Sequence, residues 1–408
     1  MKRIKGYFKW SDMIPALSGL IGKISLISSF AVVWAQELGI NHTSFVFDNV
    51  RLEILIGGVI ALVATCISSK ASPAGTLAPL VVLIPAMVEY GVHPFILSLL
   101  VGIIGMICAK TGILIKLIGI SKYVSKTSLT IVFGISGVIL CVQKLLTFFS
   151  TQYWILLLLL GTLIPGYVYL VKRSKAWLMI PIAAVTSLII SIVSGIKLDL
   201  LSPINALNLN PNYWWGEVWG IGFGLNLETI LKTLPFALFV LLLWAMDTVA
   251  ITTLLDEQSK KGEDKEDLDI NQSFVVVAIR NMIGGVFGGA QTSSLWRSFL
   301  IPLFMVKRPL RGATILLSIL CILIGLLGIP INLLAFPPLV WTVLLFGIFM
   351  PLSLVGINKW RECRGLLGKV VMGLLVIVGI VYNPIMTWVG AVIVERIKIK
   401  PLKHLTEE

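Results

Sequence analysis

Arg297 lies in the stretch Gly289-Ala290-Gln291-Thr292-Ser293-Ser294-Leu295-Trp296-Arg297-Ser298-Phe299-Leu300-Ile301-Pro302, an arginine inside an apolar segment just after a run of helix-starting residues. A guanidinium offers an oxyanion a planar fork of donors, and a helix amino end offers free amides and the positive end of the dipole. The chemistry these residue types support together is anion binding, with Thr292, Ser293 and Ser294 as hydroxyl and amide donors. Read as helix, Arg297 stands about one turn past the two serines. The alternative is a snorkelling or scaffold arginine tied to carbonyls.

A matching stretch occurs in the first half of the chain. Ser72-Pro73-Ala74-Gly75-Thr76-Leu77-Ala78-Pro79 opens with small, polar, helix-breaking residues and leads into the apolar run from Leu80 to Ala86. Non-helical backbone at membrane depth is tolerated only where protein or a watery cavity surrounds it. Two such interruptions, in the third apolar span of each half, predict short helices whose amino ends face each other near the bilayer midplane. Gly75, Thr76 and Leu77, with Ser28 of the first span, complete the expected substrate-facing set. The plainer alternative is that Gly and Pro merely kink two ordinary helices.

Other charged residues fall inside apolar spans, where ionisable groups are costly and functional by default. Asp247, in Trp244-Ala245-Met246-Asp247-Thr248-Val249-Ala250, has Thr248 and Thr252 nearby as hydroxyl ligands. This set suits a coupling ion, either a bound sodium or a proton, and a structural ion pair of Asp247 with Arg297 or Lys23 is the competing reading. Lys23 falls near the centre of the first span, as a supporting charge. The three histidines, His42, His93 and His404, lie near span ends or in the tail, and the five cysteines have no metal-ligand spacing. No nucleophile elbow or His/Asp/Glu cluster appears, so an enzyme is not expected, nor a cofactor beyond the sodium.

Composition dictates the elements that must position these residues. Hydrophobic residues make up 57% of the 408 and charged residues 13%, with mean hydropathy +0.97, which predicts an all-α polytopic membrane protein. The net charge of +13 sits in clusters between apolar segments, not in one basic stripe, and excludes nucleic acid as the expected partner. Windows of about 20 apolar residues place spans near 13 to 34, 52 to 68, 73 to 89, 94 to 118, 127 to 149, 153 to 171 and 176 to 195. A second set falls near 229 to 254, 272 to 288, 290 to 306, 312 to 328, 332 to 355, 367 to 382 and 384 to 396.

An even count of about 14 puts lysine and arginine on one side of nearly every loop, with both termini cytoplasmic. The organisation expected is a first repeat over 1–195, an outer connector over 196–228, a second repeat over 229–396 and a cytoplasmic tail over 397–408. With seven spans each, the repeats run in opposite orientation. Trp214, Trp215 and Trp219 suit an interfacial helix lying on the outer face. The mixed-charge run from Asp256 to Asp269 reads as a solvated connector.

Asp269-Ile270-Asn271-Gln272, followed by Ala278, Asn281, Gly284-Gly285, Phe287-Gly288-Gly289 and the Ser-Leu-Trp-Arg-Ser run, resembles the SulP-type anion transporters of the sulfate permease superfamily. The resemblance implies two inverted seven-span repeats, core and gate parts, pairing into a homodimer, and an anion site between the broken third and tenth spans. Two features depart from it: Ser25 to Ala31 stands where those transporters show a Pro-Gln pair, and no STAS domain is expected in these residues. Nucleobase permeases share the architecture but offer a carboxylate where this chain has Arg297.

The function expected is secondary active transport of a small anion of the sulfate, bicarbonate, chloride or carboxylate class, by alternating access coupled to sodium or protons. The membrane expected is the bacterial or archaeal inner membrane. A proton-coupled nucleobase permease and an uncoupled anion channel on the same fold are the alternatives.

Overall fold

The computed structural model describes residues 9–42, 44–173, 175–196, 207–259, 268–363 and 365–396, and every regular element among them is helical. The first half holds α1 (Met13–Leu38), α2 (Phe45–Ile67), a 3-10 helix over Ala78–Leu83 that runs into α3 (Ile84–Glu89), α4 (Pro94–Thr111), α5 (Ile113–Ile120), α6 (Tyr123–Phe148), α7 (Tyr153–Lys172) and α8 (Met179–Val193). A connector bearing the short α9 (Pro211–Tyr213) leads to α10 (Leu227–Ser259), α11 (Ile270–Val286), α12 (Arg297–Met305) and α13 (Leu310–Leu327). The chain continues through α14 (Ile331–Leu334) and α15 (Pro337–Leu344), passes a π turn into α16 (Met350–Glu362), and closes with α17 (Leu366–Val381) and α18 (Pro384–Arg396).

Among the described residues, eight helices are long and apolar enough to cross a membrane. They form because a helix satisfies its own backbone in hydrocarbon, where water cannot. Leu157, Val168, Leu374 and Ile377 stay exposed on their outer faces, as lipid-facing side chains do.

The helices pack in two groups, each drawing on both halves of the chain. In one, α4 lies along α11, α2 along α13, and α1 against α12. In the other, α6 lies against α16, α17 and α18, while α8 packs on α15 and α7. The pairs α4 with α11 and α2 with α13 exchange under the correspondence of the two halves. Such reciprocity is what an inverted repeat requires. Close approach depends on small residues: a Cβ on Gly102 of α4 would stand 2.4 Å from Met282 Cγ and 2.8 Å from the Ala278 carbonyl on α11.

Two expectations are corrected. The apolar run from 94 to 118 is not one helix, because Gly112 adopts φ +69° and separates α4 from α5. That left-handed conformation costs glycine little and other residues more. The tryptophan connector does not lay all three of its rings on a surface: Trp215 is half-buried, while Trp214 is 1% exposed and Trp219 is 3% exposed. The indole N–H groups of Trp214 and Trp219 donate to the Asn208 carbonyl (2.7 Å) and the Gly288 carbonyl (2.9 Å). An aromatic ring with one polar atom suits a wet interface or a dry core equally well. Here the core has Trp214 and Trp219. The run from 260 to 267 lies outside the described residues, and α10 extends to Ser259 ahead of it.

Gly102→Val should force α4 and α11 apart, at a cost of about 1–3 kcal/mol. Detergent-solubilised protein should then lose its monodisperse elution at a lower temperature than wild type, whereas an unchanged melting profile would mean that these helices do not pack so closely.

Candidate functional site

The two interrupted spans meet. Ser72 to Leu77 and Gly288 to Trp296 leave the helical form, and Ala74 and Leu295 form an antiparallel bridge. The Gly75 amide donates to the Ser294 carbonyl at 2.7 Å, and the Leu77 amide donates to the Thr292 carbonyl at 3.0 Å. Glycine is required at 75, because a Cβ there would lie 2.4 Å from Trp296 Cα. From this crossing the 3-10 helix at Ala78 and α12 at Arg297 set off, so two helical amino ends start within a few residues of one paired segment.

Buried side chains hold the crossing from several helices. Lys23 of α1, 1% exposed, donates to the Ala74 carbonyl at 2.7 Å and lies 4.0 Å from the centroid of the Trp296 ring. Asn49 of α2 brackets the start of the tenth segment, donating to the Gly288 carbonyl (3.1 Å) and accepting from the Ala290 amide (3.0 Å). Glu53, one turn further along α2, accepts from the Gln291 amide (3.1 Å) and from Gln291 Nε2 (3.0 Å). Gln291 Oε1 in turn accepts from the Thr76 hydroxyl, joining the tenth segment to the third. Asn281 of α11 accepts from the Ser293 amide (2.7 Å) and donates to its carbonyl (3.3 Å), which also accepts from Trp244 Nε1 of α10 (2.8 Å).

Arg280 of α11 pairs with Glu53, both side chains fully buried. Arg51, two residues before Glu53 on α2, donates to the Gly325 and Leu326 carbonyls at the end of α13 (3.2 and 2.9 Å), where a cation complements the helix dipole.

The structure gathers most of the expected residues at this crossing and reassigns several of their atoms. Gly75, Thr76, Leu77, Thr292, Ser293 and Ser294 are all buried in it. The amides of Gly75 and Leu77, expected to be free, are spent on the pairing, because two extended segments side by side satisfy each other first. The Ala78 and Arg297 amides are taken by the Thr76 and Leu295 carbonyls. The Thr76 hydroxyl is committed to Gln291.

Ser28 is buried in α1, but its hydroxyl donates to the Ile24 carbonyl one turn back (2.7 Å). Ser293 differs. Its backbone is held on both sides, while its hydroxyl is fully buried with no hydrogen-bond partner among the described residues.

Arg297 is the first residue of α12 and is half-buried. The expected helical spacing fails here, since residues 288 to 296 are not helical and a tight turn, with the Arg297 amide on the Leu295 carbonyl (3.0 Å), leads into α12. Thr248 is buried and its hydroxyl donates to the Trp244 carbonyl (2.9 Å). The side chains of Asp247 and Thr252 lie outside the described residues.

Sequence reasoning passed over Glu53, Arg280, Gln291 and Asn49. Glu53 and Arg280 did carry a signal, each being an ionisable residue in the interior of an apolar span, where such groups are found paired. Asp269 closes the motif differently from a ligand: it caps α11, accepting from the Gln272 amide (2.9 Å), and its own amide donates to the Lys70 carbonyl (3.0 Å) just before the third segment.

Comparison with known proteins agrees with this architecture. The family described as "Protein of unknown function (DUF3360)" matches residues 4–400. No curated protein matches the sequence. Among solved structures, the transmembrane domain of a cyanobacterium bicarbonate transporter, BicA, aligns with TM-score 0.58 at 15% identity, over 93% of this chain and 98% of that one. Solute Carrier 26 family member A9 aligns with TM-score 0.57 at 14% identity, over 95% of this chain and 65% of that one. The murine form, an anion transporter in the inward-facing state, gives TM-score 0.53 at 13% identity, over 93% and 67%. At such identities the likeness establishes a shared fold, and that fold is the one expected from the SulP resemblance.

Gly75→Val should break the pairing of the two segments, since no movement of a flexible side chain relieves a clash with the Trp296 backbone. Tryptophan fluorescence of the purified variant should shift as Trp296 and Trp244 lose their surroundings. A wild-type spectrum with wild-type thermal stability would show that the segments are not in contact.

Proposed function

We propose that this chain, which belongs to the family described as "Protein of unknown function (DUF3360)", is a secondary carrier that moves a small anion across a membrane by alternating access. One observation carries the reading: Arg297 occupies the first position of α12, directly after the paired segments. A cation at a helix amino end meets the positive end of the dipole and is disfavoured there. The same position is favourable once an anion sits between them, because dipole and guanidinium then act on it together.

Support comes from the rest of the site. The unpartnered hydroxyl of Ser293 supplies a donor. Of the four fully or nearly fully buried charges around the crossing named above, Lys23, Arg51, Arg280 and Glu53, three are positive. A proton-coupled nucleobase carrier would need a carboxylate in the place of Arg297. The likeness to a bicarbonate transporter and to an anion transporter of the Solute Carrier 26 family supports the same substrate class.

On this reading the helix group containing α1, α10 and α12 carries the site, and it moves against the group containing α6, α8 and α15. Asp247, with Thr248 and Thr252, serves as the coupling-ion site for sodium or a proton. Homodimeric assembly and cytoplasmic termini in a bacterial or archaeal inner membrane complete the proposal.

Proteoliposomes test it directly. Wild-type protein should take up labelled bicarbonate or sulfate saturably and, under a sodium or proton gradient, against the anion's own gradient. Arg297→Ala should lower uptake about 10- to 100-fold, the loss expected for one charge-assisted hydrogen-bonding group, with no loss of expression. Unchanged uptake in Arg297→Ala would remove the arginine from the mechanism, and competition by uracil or xanthine would return the nucleobase reading.

A further inference from the structure

Glu53 and Arg280 are not accounted for by the anion site as described, yet both are fully buried beside it. A charge without a partner in such a place is strongly destabilising, and a pair at best breaks even against apolar residues of the same size. Stability alone is therefore a weak reason for the pair.

Its connections are more specific. Both Glu53 oxygens address Gln291, one at the backbone amide and one at the side-chain amide, and Gln291 passes the contact to Thr76. Gly289 makes room for the carboxylate, since a Cβ there would stand 2.1 Å from Oε1. Gly284 makes room for the guanidinium in the same way, with a Cβ 2.4 Å from the nearer Arg280 terminal nitrogen. The next residue, Asn281, grips Ser293 at amide and carbonyl. The pair thus sits directly behind residues 291 to 293, with Lys23 next to α2 one turn away, where a Cβ on Gly57 would lie 2.8 Å from its Nζ.

We infer that Glu53 sets the electrostatic strength of the anion site: it cancels Arg280 behind the tenth segment, so that a bound anion is held by Arg297 and Lys23 but can still leave. The inference rests on the anion-carrier reading above. Charges act at long range in a buried, poorly screened layer, and a second uncancelled guanidinium would deepen the site for every anion. A carrier gains nothing from that, because tight binding of the ground state slows the steps that follow.

Glu53→Gln keeps the size of the side chain and one of its two acceptors for Gln291, and removes the charge together with the other acceptor. In proteoliposomes its KM for bicarbonate or sulfate should fall about tenfold and its kcat should fall with it. Arg280→Gln, which leaves Glu53 negative behind the segment, should raise KM. The double variant Glu53→Gln/Arg280→Gln should return KM toward wild type.

If the pair were only structural, Glu53→Gln would leave KM unchanged or raise it, and the double variant would be no better than the singles; either result overturns the inference. If neither single variant elutes as folded protein, Arg280→Lys and the double variant carry the comparison. Both keep the pair neutral and should share one KM, and a higher KM in the double variant overturns the inference. Wild-type protein that moves no anion would instead refute the carrier reading itself, whatever the variants do.

Discussion

A peptide group inside hydrocarbon must find a hydrogen-bond partner within the protein, and this constraint governs the centre of the molecule. Two spans give up their helices at matching positions, and each supplies what the other lacks: Gly75 and Leu77 donate to the Ser294 and Thr292 carbonyls. Pairing two strands antiparallel needs the spans to enter from opposite sides, which is what an inverted repeat provides. Further groups are met by Asn49, Glu53, Asn281, Trp219, Trp244 and Lys23, from five other places in the chain. The crossing therefore fixes the helices around it, and they fix the crossing.

Charge follows from the same constraint. Each buried ionisable side chain around the crossing has a defined role in the backbone or charge balance. Lys23 serves the Ala74 carbonyl and the Trp296 ring, Arg51 the end of α13, and Arg280 and Glu53 each other. Toward the ends of α1 and α12 the pattern repeats, where Arg308 holds Asp12 at 2.6 Å. Arg297 stands apart by position, a cation at the amino end of a helix where the helix itself offers no compensation.

Much of this was legible in the residues. Apolar length locates the eight described helices long enough to cross the hydrocarbon, and Ser72 to Pro79 and Gly288 to Ser294 announce the two interruptions by their helix-breaking content. The pairing between them was not legible, because backbone-to-backbone bonds carry no side-chain signature. Reading residues 290 to 296 as helix also gave Arg297 a helical spacing from Ser293 and Ser294 that the turn at Trp296 replaces.

Gly112 carried the break between α4 and α5, but the apolar run after it looked continuous with the run before. The tryptophans of the connector misled because an indole ring suits an interface and a core alike. Glu53 and Arg280 were visible as charges in apolar spans. Only the fold brings α2 onto α11 and makes them partners.

The crossing either holds an anion or it does not, and diffraction or cryo-electron microscopy of the protein in selenate or bromide would decide. The expected result is density, with an anomalous signal where diffraction is used, between the amino ends at Ala78 and Arg297 and within hydrogen-bond reach of Ser293. An occupied anion elsewhere in the protein, with this crossing empty at saturating concentration, would contradict the assignment.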